Sequence, residues 1–151
     1  MKVLKNLSEA ELLIGQELGL SRWFKITQFQ IWGFGLFTKD LQWIHMNPIK
    51  SKLGSPFKTT IAHGFLVLSL LPKILESTYS VKSAKMGVNY GLNRVRFTAP
   101  VPVGSRVRGR VMLKEFKKIK NGAQMTVEVK VELKGSEKPA CIAEQVFLVY
   151  E

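Results

Sequence analysis

From about residue 85 onward the chain alternates. Met125, Val127, Val129, Val131 and Leu133 are interleaved with Thr126, Glu128, Lys130, Glu132 and Lys134, the period-two pattern of a strand with one buried face. Val107-x-Gly109-x-Val111-x-Leu113 and Val95-x-Phe97-x-Ala99 repeat the pattern. Ala140 to Tyr150 reads as a last strand, apolar in part on both faces. Lys120-Asn121-Gly122 predicts a tight hairpin turn, because Asn-Gly accepts the positive φ angles such a turn needs. Gly135-Ser136-Glu137-Lys138-Pro139 predicts a second turn.

The first half has a helical period instead. Ser8-Glu9-Ala10-Glu11 reads as a helix start with Ser8 as N-cap, the helix ending by Gly15 or Gly19. Arg22 to Ile26 reads as a short strand, and Thr27 as the cap of a helix over Gln28 to about Thr38. Phe29, Ile31, Trp32, Phe34, Leu36 and Phe37 cover much of that helix's circumference and predict that most of it is buried. Gly33 and Gly35 each weaken it by about 1 kcal/mol relative to alanine. Asn47-Pro48 marks a break or a helix start, Ile49 to Leu53 one helical turn, and Gly54-Ser55-Pro56 a loop. About Ala62 to Glu76 is the most apolar helix candidate, with apolar groups all round it; other structure must wrap around such a helix. Pro72 inside it removes a backbone donor, predicting a kink or a Leu68 carbonyl without its helical partner. Together these elements predict a single α+β domain over residues 1–151, an antiparallel sheet curled around one buried helix.

Composition narrows the function. The 151 residues are 46% hydrophobic and 23% charged, the balance of an ordinary soluble domain. The longest apolar run, Phe65 to Pro72, is too short to span a bilayer, so no membrane association is expected. The first residues show no signal-peptide pattern. The single cysteine, Cys141, permits no internal disulfide, fits a reducing cytoplasmic setting and reads as core filler. Lys and Arg number 23 against 11 acids, a net charge of +12. This excess favours anionic partners or marks a solvated basic face. The bases are dispersed, with no aromatic-studded groove and no nucleic-acid motif, so nucleic acid is not the favoured partner.

The candidate chemistry lies between Asp40 and Ser69, which holds both histidines, His45 and His63. An acid, an imidazole and a glycine at a helix start are the parts of an acid–base enzyme with an oxyanion site. Taken alone, Asp40 and His45 also fit a loop hydrogen bond, His63 a structural helix-start residue, and Ser69 a hydroxyl bonded back to the Ile61-Ala62-His63 turn. The spacing of two histidines without a cysteine cluster does not match a zinc site, so no metal is expected.

Asp40-x4-His45, Ile61-Ala62-His63-Gly64, Ser69 and Val88-Asn89-Tyr90-Gly91-Leu92-Asn93-Arg94-Val95-Arg96-Phe97 resemble the MaoC-like dehydratases, the (R)-specific enoyl-CoA hydratases, over nearly the whole chain. Asp40-x-Gln42-Trp43-Ile44-His45 looks most like the nodulation-protein-N-like branch. The resemblance implies a hotdog fold, a homodimer or larger assembly, and reversible hydration of a trans-2-enoyl thioester to an (R)-3-hydroxyacyl thioester. Coenzyme A or an acyl carrier would enter as part of the substrate, with no separate cofactor. It implies that Asp40 and His45 hold and activate water, that the Gly64 N–H binds the thioester oxygen, and that Ser69 stands near the pair. His63 and Gln42 join them as candidate substrate-binding residues, Gln42 through its amide. Lys39 and Gln42-Trp43 depart from the Gly-Asp-x-Asn-Pro-x-His wording common in the hydratases. Arg94, Arg96, Arg106, Arg108 and Arg110 are candidates for the phosphates of coenzyme A, since arginine pairs well with phosphate; the last three share one strand face. The other readings are a hotdog thioesterase and a non-catalytic acyl-CoA or nucleic-acid binding protein.

Overall fold

The computed structural model describes residues 1–151. Its framework is a long antiparallel hairpin, β6 (Arg106–Ile119) and β7 (Gly122–Leu133), turning at Asn121 with φ of 61°. This is the predicted Asn-Gly turn. β8 (Cys141–Tyr150) pairs with β7, and β5 (Met86–Phe97) closes that side. On the other side β2 (Glu17–Leu20) and β3 (Phe24–Lys25) pair with β6, giving the path β2-β6-β7-β8-β5 with β3 beside β6. A separate parallel pair joins β1 (Lys2–Leu4) to β4 (Tyr79–Val81).

The alternation read along β7 is realised, since Met125, Val127, Val129 and Val131 are fully buried. With Val107, Val111 and Leu113 of β6 they meet the helical layer of α5 (Gly64–Ser69) and α6 (Leu71–Thr78), where Leu66, Val67, Leu71 and Ile74 complete the core. The architecture is α+β, a hotdog fold: a curved sheet around a central helical segment. Cys141 lies in this core, and burial pushes its thiol up to about 11.

Four local expectations change. The first helix, α1 (Leu7–Glu11), is capped by Asn6 rather than Ser8; Asn6 Oδ1 accepts the Glu9 N–H at 3.1 Å, and the helix stops at Glu11. The central helix is two helices, α5 and α6, which meet at Leu70. Pro72, lacking an N–H, sits in the first turn of α6, where no donor is needed.

Helix α2 (Gln28–Thr38) has the expected bounds and a capping box between Thr27 and Gln30. It is not mostly buried: only Ile31 and Gly35 are inside, while Phe29 and Phe37 are 81% and 91% exposed. The helix lies over one end of the fold, so protein covers only one of its faces. Finally, the alternation at Val95 and Phe97 belongs to β5, a strand that pairs only with β8 and is exposed along most of its length.

Candidate active site

Helix α2 ends at Lys39, whose φ of 64° is left-handed. That turn delivers Asp40 to a short helix, α3 (Trp43–Met46), which carries His45. Asn47 then caps α4 (Pro48–Gly54), its Oδ1 accepting the Lys50 N–H at 2.9 Å.

A four-residue helix cannot hold itself in place, and α3 is clamped by its neighbours. Gln28 Nε2 of α2 donates to the His45 carbonyl at 2.9 Å, and Trp32 Nε1 to the Met46 carbonyl at 3.0 Å. Ser51 Oγ donates to the Trp43 carbonyl at 3.1 Å, and the Ile61 N–H to the Ile44 carbonyl at 3.1 Å. Thr60 Oγ1 in turn donates to Gln28 Oε1. Sequence reasoning missed Gln28, Trp32, Ser51 and Thr60. Their only signal there is that polar groups next to a short helix must satisfy its free carbonyls.

His45 is buried. Its Nδ1 lies 2.7 Å from the Ile61 carbonyl, which only accepts, so Nδ1 carries the proton. Nε2 of the neutral ring is then a free acceptor. Burial pushes the His45 pKa below the ordinary imidazole value; the Ile61 carbonyl opposes that shift, the neighbouring His63 adds to it, and Asp40 opposes it. A carboxylate oxygen of Asp40 and one ring nitrogen each of His45 and His63 lie within 4.8 Å of one another. The two histidines, far apart in the chain, stack with ring centroids 3.9 Å apart.

His45 and Gly64 share the wall of a cavity of about 280 Å³, with Ile61, Val67, Phe97, Pro100 and Val101. Gly64 opens α5, where the first N–H groups have no intrahelical partner. A Cβ at Gly64 would lie 2.9 Å from the Phe97 ring, so glycine is needed for this contact alone.

The structure does not gather the other candidates at this wall. Ser69 lines a separate cavity with Pro72, Asn89, Tyr90 and Gln145, and its hydroxyl donates to the Leu66 carbonyl at 2.7 Å. It is bonded back into its own helix rather than lining the wall that carries His45. Gln42 is exposed at the start of α3 and makes no capping bond. Arg108 and Arg110 face carboxylates of neighbouring strands. Their Nε atoms donate to the two oxygens of Glu132 at 2.7 and 2.9 Å, and Arg110 Nη1 donates to Glu17 at 2.7 Å. Each guanidinium keeps N–H groups that these carboxylates do not take, and Arg108 also stacks over Trp23. Arg94, Arg96 and Arg106 are exposed, Arg96 two residues from Thr98 on the cavity wall.

A hotdog sheet with an acid–imidazole pair beside a helix start defines the class of protein. The chain belongs to the MaoC like domain family, whose model matches residues 9–135. It is 46% identical over 147 residues to 3-hydroxyacyl-thioester dehydratase Z of Mycobacterium tuberculosis, covering 97% of each chain. It is 44% identical over 155 residues to nodulation protein N of Rhizobium leguminosarum bv. viciae, covering 95% of this chain and 91% of that one. Among solved structures, R-hydratase PhaJ1 from Pseudomonas aeruginosa superposes with a TM-score of 0.73 at 23% identity, over 98% of this chain and 88% of that one; at that identity the likeness is one of fold.

Proposed function

We propose that the protein is a hydratase–dehydratase of acyl thioesters, interconverting a trans-2-enoyl thioester and an (R)-3-hydroxyacyl thioester. One observation carries the reading. His45 is locked with Nδ1–H on the Ile61 carbonyl, so its bare Nε2 faces proton chemistry beside Asp40. The family membership and the dehydratase name of the 46%-identical relative support it.

In the hydration direction His45 Nε2 takes a proton from water as the water oxygen bonds to C3 of the enoyl group. The C2–C3 π electrons move toward the thioester carbonyl, whose oxygen gains charge that the Gly64 N–H stabilises. A proton is then delivered to C2, with Asp40 and His45 as the acid–base pair. One water adds across one double bond and nothing is oxidised.

Coenzyme A or an acyl carrier protein bears the acyl group, and exposed Arg96 is the arginine we favour for a coenzyme A phosphate. The working unit we propose is a homodimer joined at β5, whose outer edge is unpaired and whose Val88, Tyr90 and Leu92 are exposed.

The test is a hydration assay with a short trans-2-enoyl-CoA on wild type, Asp40→Asn and His45→Gln. Loss of the conjugated thioester in wild type, with both variants slower by roughly 100-fold or more, is the expected result. Release of free thiol would make the protein a thioesterase instead. No turnover of any chain length on either carrier would leave a binding protein.

A further inference from the structure

His63 takes no part in that mechanism, yet it touches both residues that do. It is 2% exposed, at the N-cap of α5. Its Nε2 lies 3.0 Å from the main-chain carbonyl of Asp40, and its ring stacks on His45 with an interplanar angle of 28°. Its Nδ1 is buried with no hydrogen-bond partner.

We propose that His63 is a positioning residue, which registers Asp40 against His45 and holds the two stacked rings as opposite tautomers. The proposal rests on the hydratase reading for its kinetic consequence, though not for its tautomers.

The chemistry follows from the partners. The Asp40 carbonyl can only accept, so His63 carries its proton on Nε2 and presents a bare Nδ1. Protonating that Nδ1 would create a buried N–H with no acceptor, and place a cation against the His45 ring. His45 holds its proton on the other nitrogen, Nδ1, against Ile61. The titratable groups against His63 are Asp40 and His45; α2 meets it with the Phe34 ring at 5.0 Å and with Gly35, and α5 brings no titratable side chain. One imidazole thus orients the Asp40 peptide and supports the face of the other, without competing for the proton.

Two measurements test this. Ring-nitrogen NMR of the wild-type protein should show the His63 proton on Nε2 with Nδ1 bare, and the His45 proton on Nδ1. A proton on Nδ1 of His63 overturns the proposal whatever the activity. The second is kinetic. His63→Ala should lower kcat by roughly 10- to 100-fold, the effect of leaving the Asp40 carbonyl unpaired, with KM within about twofold. His63→Gln, which returns a donor at the position of Nε2, should recover most of kcat. Wild-type kcat in His63→Ala would refute the positioning role. So would equal losses in the Ala and Gln variants. Should wild type fail to hydrate any enoyl thioester, the functional reading falls while the NMR result still decides the tautomers.

Discussion

Two residues show how local chemistry sets the site. His45 is buried and neutral, with a pKa below the ordinary imidazole value of about 6.5. The base is lost only when pH falls through that depressed value. The acid limb of kcat/KM should therefore lie below the ordinary imidazole range, and a pH–rate profile checks it. The same shift acts on folding. An unfolded chain binds the proton first, so the His45 contribution is complete above about pH 6.5 and is lost as pH falls toward the folded value. Urea midpoints between pH 7 and pH 5 should show the decline.

Lys39 is the other residue. Its φ of 64° is a conformation that glycine adopts without a steric cost and a residue with a Cβ does not. Lys39→Gly should raise stability by about 1 kcal/mol, the relief of the left-handed strain, as read from a shifted denaturant midpoint. Lys39 is one of the two places at which this chain departs from the family wording, the other being Gln42-Trp43. The backbone keeps the glycine-like turn even though the glycine is absent.

At the scale of elements, the site is a short helix held by longer ones. α3 alone has no stability, and Gln28 and Trp32 of α2 fix its carbonyls. α6 in turn is seated on the sheet at Gly109 of β6. A Cβ there would lie 2.1 Å from Ile74 Cγ2, so the helix and strand are closer than any side chain permits. Ile74 is fully buried and has nowhere to retreat. Gly109→Ala should cost about 1–3 kcal/mol, the usual penalty of overpacking. A thermal melt would show it, and a melt equal to wild type would mean that α6 lifts freely from the sheet.

At the scale of the molecule, a surplus of charge and two uncovered apolar regions stand out. No helix is long and apolar enough to cross a membrane. The outer face of α2 and the strand β5 both expose large apolar side chains. An unpaired edge of twelve residues invites pairing with another strand. Sedimentation should give a particle of two chains. Placing Lys at both Tyr90 and Leu92 should shift it toward one chain without lowering the helix and strand content seen by circular dichroism. A wild-type monomer would refute the proposed edge-to-edge dimer.

The strands of the second half, the Asn121 turn and the Thr27 cap were legible in the sequence because each depends on near neighbours: a period of two, a positive φ, a side chain reaching three residues along. The Asp40, His45 and Gly64 constellation was legible through family resemblance, which stores spatial proximity in a linear motif. What the tertiary structure decided depends on pairs distant in the chain. It stacked His63 on His45, gave the Nδ1 of His45 to Ile61, and tied Arg108 and Arg110 to Glu132. It also left α2 half uncovered, because the face an apolar helix buries depends on what stands opposite it, and composition does not record that.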